Sequence, residues 1–243
     1  MKGGAHSNNN SALTVLVPVF NEQETILALL TRLNSLRSQI ENLFIFVIDD
    51  GSIDDTETLL MLNPNLYDKL IRFRRNSGKG KAIAAALTQV SEGYVLIQDA
   101  DLEYDPLEIP KLWQVLTQNG AQVVHTNRLS GATLTRVHYF WHKVGNRLIT
   151  FIFNITNNTT FCDIYSGYLM FEVSLLHNQK LKFRRWGQQA EILTILVHRA
   201  ERIYEVPISY FGRSYEEGKK IRASATLGVL SAMFLTKIRT IFI

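Results

Sequence analysis

Cysteine is nearly missing from this chain: among its 243 residues Cys162 stands alone. One thiol excludes an intrachain disulfide, and a reducing compartment is the simpler setting. A leader-like apolar segment is missing too. Met1 to Ala12 is polar, with Asn8-Asn9-Asn10 and a single Lys2, so it reads as a disordered lead and not as a signal peptide. The Asn-x-Thr sequons at Asn154, Asn157 and Asn158 then carry no glycan, because glycosylation needs a secretory route. Nor is there a long uninterrupted apolar run. Leu227 to Ile243 includes Lys237 and Arg239 and is short for a hydrocarbon core of ~30 Å. It is left to lie on a membrane, to complete the core, or to begin an anchor.

Several chemistries lack their spacing. Asn76-Ser77-Gly78-Lys79-Gly80-Lys81 does not have the Gly-x-x-x-x-Gly-Lys-Ser/Thr pattern of a phosphate loop, which argues against an NTPase. His138 and His142 stand four apart but have neither a glutamate beside the first nor a third ligand in range, so no zinc-protease site is expected. No Ser/His/Asp or Cys/His arrangement stands out. Acidic residues are outnumbered, 22 against 26 Lys and Arg, giving a net charge of +4 and a pI near 9.1. Anionic partners are therefore favoured. No signature of RNA or DNA binding accompanies the basic groups, and a carboxylate cluster would repel a polyanion. Phosphate and membrane are preferred, and no nucleic acid partner is expected.

What is present centres on Tyr94-Val95-Leu96-Ile97-Gln98-Asp99-Ala100-Asp101-Leu102-Glu103. A short strand-forming run ends in three carboxylates at alternating positions, and Asp105-Pro106 turns the backbone away. Carboxylates this close repel one another and call for a cation. Their hard oxygens suit Mg²⁺ or Mn²⁺. The alternative is that these acids cap the next helix and face water.

Around this stretch strand and helix alternate. Leu13 to Val19 is a compact β run, followed by Asn21-Glu22-Gln23-Glu24 and by Ile26, Leu29, Leu30 and Leu33 at helical spacing. Leu43 to Ile48 runs into Asp49-Asp50-Gly51-Ser52, and Asp54-Asp55 opens a helix. Leu70 to Phe73 leads to the Asn76 to Lys81 loop and an alanine-rich helix. This alternation predicts a parallel sheet covered on both faces, with ligands at the carboxyl ends of the strands. There Asp49 or Asp50 can accept from a ribose hydroxyl or a base N–H. The alternative is a turn with Gly51 at positive φ and Ser52 or Asp54 as cap, and both can hold at once.

Later, Arg128 follows a strand end, and basic and aromatic residues interleave with aliphatic ones from Arg136 to Ile155. That pattern suits a helix in a membrane interface or an ordinary core helix. Leu169-Met170-Phe171 reads as a strand, Glu191 begins a helical run through Ile192 to Val197, and Glu205-Val206-Pro207-Ile208 reads as a further strand. In the basic stretch Arg213 to Lys220, Arg213 and Lys219 can fold over a diphosphate, or the stretch is simply a solvated loop.

Taken together, Pro18-Val19-Phe20-Asn21-Glu22, Asp49-Asp50-Gly51-Ser52, Asn76-x-Gly78-Lys79-Gly80, Asp99-Ala100-Asp101-Leu102 and Glu205-Val206-Pro207-Ile208 resemble, in order, the family 2 glycosyltransferases of GT-A fold. Within them the chain is similar to dolichol-phosphate mannosyltransferase and its polyprenyl-phosphate relatives. The resemblance implies a Rossmann-like α/β fold with a mostly parallel central sheet and helices on both faces. It implies a catalytic domain over 13–222 between the lead, 1–12, and an amphipathic or membrane-proximal helix over 223–243. Pro18, Phe20, Glu22, Ile48 and Asp50 would surround the nucleotide. Asp99 and Ala100 would lie along the nucleotide sugar, Asp101 and Glu103 with Asp99 would hold Mg²⁺ or Mn²⁺, and Arg128, Arg213 and Lys219 would grip donor diphosphate or acceptor phosphate. Glu103 stands where a glutamine or small polar residue is common in the family, and Asn127 replaces a small residue before Arg128.

The function so implied is inverting transfer of a sugar, mannose from GDP-mannose being the expected donor, to a polyprenyl or dolichyl phosphate. A phosphate monoester has its second pKa near ~6, so its oxygen attacks without a general base. A UDP-sugar donor or a hydroxyl acceptor is the alternative, and the latter would need a base such as Asp163 or Glu191. Two readings from other classes are a sugar-nucleotide sensor that binds without turnover and a membrane-interaction module. The expected location is cytoplasmic, peripheral on a membrane's cytoplasmic face; whether a separate membrane-anchor subunit takes part is left open.

Overall fold

The computed structural model describes residues 11–129, 140–183, 187–212 and 225–241. Its strands are β1 (Leu13–Val19), β2 (Leu43–Asp49), β3 (Lys69–Arg72), β4 (Tyr94–Ile97), β5 (Val123–Asn127), β6 (Leu169–Glu172) and β7 (Ile203–Pro207). Among the described residues they form one seven-stranded sheet in the order β3-β2-β1-β4-β6-β5-β7. All neighbouring pairs are parallel except those of β6, which runs antiparallel to β4 and to β5. The mostly parallel sheet expected from the alternation is what forms. The reversal of β6 matters for the site: Ile97 of β4 pairs with Leu169 of β6, so residues just before β6 enter the sheet at the edge where β4 ends.

The strands read inside and out by alternation. Leu13, Val15, Val17 and Val19 of β1 face one layer, built with Ile26, Leu29, Leu30 and Leu33 of α1 (Ile26–Ser35) and Leu112 and Leu116 of α4 (Ile109–Asn119). Leu60 of α2 (Thr56–Leu62) joins that layer. Leu16, Val95, Ile97 and Phe171 face the other layer. There they meet Ile83 and Ala86 of α3 (Lys79–Leu87), Phe153 of α5 (Phe140–Asn157), Ile192, Leu193 and Leu196 of α6 (Gly187–Arg199), and Met233 of α7 (Ala225–Ile241). Thr25, the N-cap of α1, makes no side-chain capping bond. Burying each aliphatic side chain contributes roughly 1.5–3 kcal/mol, so this helix is held by its apolar face and not by its cap. α4 is punctuated locally instead, with a proline in its first turn and Gly120 left-handed at its C-cap (φ 59°).

Boundaries differ from the sequence reading where tertiary contacts intervene. β4 stops at Ile97, because fully buried Gln98 turns its side chain to accept from the Tyr168 hydroxyl and to donate to the Asp99 carbonyl. α6 begins at Gly187, ahead of Glu191. A Cβ at Gly187 would lie 2.9 Å from the Ala232 side chain, so its bareness lets α7 pack close. Of the readings open for the last stretch, α7 completes the core through Val229, Ala232 and Met233. α5 likewise sends Ile149 and Phe153 into the core, while its opposite side is exposed and apolar. Among the described residues no helix is long and apolar enough to cross a membrane. The expected roles of Arg136, His138, Arg213 and Lys219 fall outside the described residues.

Candidate active site

Three loops leave the carboxyl ends of β1, β2 and β3, and side chains lace them together. Asn21, at a positive φ of 54°, donates its amide to Ser52 Oγ (3.0 Å) and accepts at Oδ1 from the Ile53 amide (2.9 Å). Glu22 donates its amide to Thr56 Oγ1 (3.0 Å), and the Thr25 hydroxyl donates to the Ala100 carbonyl (2.7 Å). Asp49 accepts from the Ser52 amide at 2.9 Å, so the Asp-Asp-Gly-Ser turn is closed by its first aspartate. Gly51 sits at φ 75° with Arg75 backbone atoms so near that a Cβ would lie 2.6 Å from one of them. Only glycine fits this approach.

Asp50 has its carboxylate engaged. Oδ1 accepts from the Ser77 amide (2.8 Å) and Oδ2 from the Gly78 amide (2.7 Å), drawing in the loop that precedes α3. Gly78, at φ 95°, is the N-cap of α3. Lys79 then reaches the Asp99 carboxylate and forms an ion pair with it. A carboxylate from the second loop thus sets the loop that delivers a cation to the acidic motif. Pro18 lies in the buried β1 strand opposite Ile48, and the Ile48 side chain is in the core among the α3 contacts. Phe20 stands half-buried just past β1.

The acids do not converge on one point. Asp99 pairs with Lys79, Asp101 accepts from the Glu103 amide (3.2 Å), and Glu103 Oε2 accepts from the Tyr210 hydroxyl (2.7 Å). Leu102 between them is left-handed, φ 57°, an uncommon conformation for a bulky side chain and one that re-aims its neighbours. Among the described residues no three His, Cys, Asp or Glu side chains gather into a group that could hold a metal ion. Asp99, Asp101 and Glu103 thus do not form a three-carboxylate cage here; what carboxylate oxygen offers is the hard donor type that Mg²⁺ takes from one or two side chains, with phosphate oxygens and water completing the shell.

Behind the acids lies a charged and aromatic cluster. Arg128 donates from Nε to Asp163 Oδ2 (2.7 Å) and from NH2 to Oδ1 (3.0 Å), and its guanidinium lies 5.0 Å from the centre of the Tyr210 ring. The Asp163 side chain is 0% exposed. Burial pushes its carboxyl up, but the Arg128 guanidinium and its hydrogen bonds outweigh that and hold it below the usual value. Tyr104 stacks between Tyr168 and Tyr210, with centroids 5.0 and 5.2 Å away, and its hydroxyl accepts from the Gly167 amide (2.7 Å). A Cβ at Gly167 would lie 2.7 Å from the Tyr104 ring and 3.2 Å from Asp99 Oδ2. Glu205 accepts from the Cys162 and Asp163 amides (2.9 and 3.2 Å), tying β7 to the same cluster. The Phe211 amide donates to the Glu103 carbonyl (2.9 Å), which brings the chain past β7 onto the acidic loop.

Sequence reasoning missed the pairing of Asp163 with Arg128 and the roles of Tyr104, Gly167, Tyr168 and Tyr210. The only signal for them was the glycine-bearing Ser166-Gly167-Tyr168 segment before a strand. Asp163 and Glu191 are also placed as structural anions. Glu191, fully buried, accepts from the Lys182 and Phe183 amides (3.0 Å each) and pairs with Arg239 (2.9 Å).

The chain matches the model of glycosyl transferase family 2 over residues 14–178, more than half its length. It is 35% identical over 141 residues to undecaprenyl-phosphate 4-deoxy-4-formamido-L-arabinose transferase of Serratia proteamaculans, covering 56% of this chain and 41% of that protein. Identity to the protein of that name from Yersinia pestis is 33% over the same length. The match thus spans less than half of these relatives. Glucosyl-3-phosphoglycerate synthase from Mycobacterium tuberculosis, solved with Mn²⁺, UDP and phosphoglyceric acid, superposes with a TM-score of 0.71 at 20% identity, covering 95% of this chain and 80% of that one. The same enzyme with Mn²⁺, UDP-glucose and phosphoglyceric acid gives 0.69. The fold is the Rossmann-like GT-A arrangement. With these loops at the carboxyl edge of such a sheet, and with that match, the chain belongs to glycosyl transferase family 2.

Proposed function

We propose that this protein transfers a sugar from a nucleoside diphosphate to a polyprenyl phosphate with inversion at the anomeric carbon. The observation that carries the reading is the Lys79–Asp99 ion pair just past the end of β4, with Asp101 two residues on, on loops tied to the neighbouring strand ends. The name of the undecaprenyl-phosphate relatives supports the acceptor class. Their sugar is not mannose, so the donor is read as a nucleoside-diphosphate sugar, of which GDP-mannose is one member.

Asp101, with Asp99 beside it, would hold Mg²⁺ or Mn²⁺. When bound, the ion neutralises the charge that develops on the departing diphosphate. The chain's own residues supply the rest. Asp50 and Gly51 fix the loops that shape the nucleotide side, and Lys79 supplies a cation beside Asp99. Asp163 holds Arg128 with a single orientation, so the guanidinium is preorganised near the acidic loop. Arg213 and Lys219 are proposed to close on the diphosphate. No general base is required of an ionised phosphate acceptor. A hydroxyl acceptor is disfavoured, since Asp163 and Glu191 are both engaged in buried ion pairs.

A thermal-shift panel of GDP-mannose, UDP-glucose and UDP-N-acetylglucosamine with Mn²⁺ identifies the donor, and transfer to a short polyprenyl phosphate is then followed. Asp101→Asn should lower transfer on the order of 10²-fold, the scale of losing one electrostatic contact to the transition state. Excess EDTA should do the same to the wild type. Full activity in EDTA, or donor binding without any turnover, overturns the reading.

A further inference from the structure

Just past β7 the chain runs along the acidic loop and is tied to it on both sides of Tyr210. Ser209 donates its amide to Glu108 Oε1 (2.8 Å), Phe211 donates its amide to the Glu103 carbonyl (2.9 Å), and Lys111 Nζ donates to the Pro207 carbonyl (2.8 Å). Between these ties Tyr210 is buried. Its ring lies 5.2 Å from that of Tyr104 and 5.0 Å from the Arg128 guanidinium, and a Cβ at Gly212 would stand 2.6 Å from it. A ring packed on these sides has little rotamer freedom left to lose, so its hydroxyl donates to Glu103 Oε2 (2.7 Å) from a fixed position.

Glu103 is also joined to the other acids through its backbone. Its amide donates to Asp101 Oδ1 (3.2 Å) across left-handed Leu102, so its carboxylate starts one side-chain length from that of Asp101. We propose that Tyr210 is a positioning residue that holds the Glu103 carboxylate away from the cation, so that the protein without donor offers the ion Asp99 and Asp101 alone. Affinity for a hard cation follows the number of charged oxygens in its shell, and withholding one carboxylate weakens the site. The ion is then held firmly only when diphosphate oxygens complete the shell, which makes metal and donor bind together. This latch deepens the proposed transfer and rests on it for the identity of the ion.

Mn²⁺ titration of the full chain without donor or acceptor, read by the electron paramagnetic resonance signal of the free ion, tests it. Tyr210→Phe keeps the ring against Tyr104 and Arg128 but removes the hydroxyl, and should tighten Mn²⁺ binding by ~tenfold, the scale of one hydrogen-bonded partner in a metal site. A merely structural role for the hydroxyl predicts the opposite sign. Glu103→Gln in the wild-type background should change Mn²⁺ affinity by less than ~threefold, the remnant of a screened charge that is not a ligand. Glu103→Gln added to Tyr210→Phe should erase the gain. Unchanged or weaker binding by Tyr210→Phe overturns the proposal, as does a gain that survives in the double variant. A loss of ~tenfold or more from Glu103→Gln alone also overturns it, and so does a set of variants in which none binds Mn²⁺. If the latch behaves as expected but transfer to polyprenyl phosphate is never seen, the proposed reaction falls and the latch stands; if transfer is seen and Tyr210→Phe shows no gain, the latch alone falls.

Discussion

Arg128 and Asp163 offer the sharpest test of how the candidate site is held. The Asp163 carboxylate is wholly buried and receives Arg128 Nε and NH2 at 2.7 and 3.0 Å and the Tyr165 amide at 3.0 Å. Asp163→Asn preserves size and keeps one oxygen for Tyr165, but it leaves a guanidinium that is only 13% exposed without a counter-charge. Removing one partner of a buried pair costs about 3–5 kcal/mol. Against a total stability of roughly 5–15 kcal/mol this is a large share. With a urea m-value of about 2–3 kcal/mol per molar, the midpoint should fall by roughly 1–2 M. Arg128→Met should cost about as much, because it strands the carboxylate. The double variant should cost about 2–3 kcal/mol less than the two singles together, since it strands neither charge. The sign with pH follows from the depressed carboxyl. Its contribution is complete above the ordinary value of 3.8 and is lost as pH falls through the lower native value, so the wild-type advantage over Asp163→Asn should shrink in strong acid. Single variants that each cost under ~1 kcal/mol, or strict additivity in the double, would refute the claim that this pair is a buried, mutually dependent unit.

Three further outcomes test other parts of the frame. Gly51→Ala forces a side chain into a φ of 75° with Arg75 backbone atoms at 2.6 to 2.9 Å, and should cost roughly 2–4 kcal/mol by chemical denaturation. Gly145→Ala, in the interior of α5 with nothing within 4 Å of its Cβ, should instead stabilise by roughly 0.5–1 kcal/mol. His125 is fully buried and donates from Nε2 to the Asp163 carbonyl (2.9 Å), while Nδ1 has no partner among the described residues, so burial lowers its pKa below 6.5. The unfolded chain then binds the extra proton first as pH drops. Stability should decline below about pH 6.5 by up to ~1.4 kcal/mol per pH unit from this group, and His125→Gln should flatten that slope in urea titrations.

The sequence determined what local pattern can carry. β1 appears over the residues where apolar strand formers cluster, α1 buries the four residues that recur at helical spacing, and Gly51 and Gly78 adopt the positive φ that glycine there permits. Strand–helix alternation was enough to place the polar motifs at one sheet edge, because a parallel connection needs a crossover that returns each strand in the same direction. The partners of those motifs were not legible. Asp50 could be read as a nucleotide contact, yet its carboxylate clamps amides 27 and 28 residues away. Glu103 could be read as a metal ligand, yet its carboxylate receives Tyr210 from 107 residues on. α5 was left between a core and an interfacial role, and the tertiary structure shows a core face and an exposed face on the same helix. Periodicity records which side chains share a surface, but hydrogen bonds between distant segments depend on strand order and on the reversal of β6. Only packing the whole chain decides those, because the short-range residue pattern has no term for them.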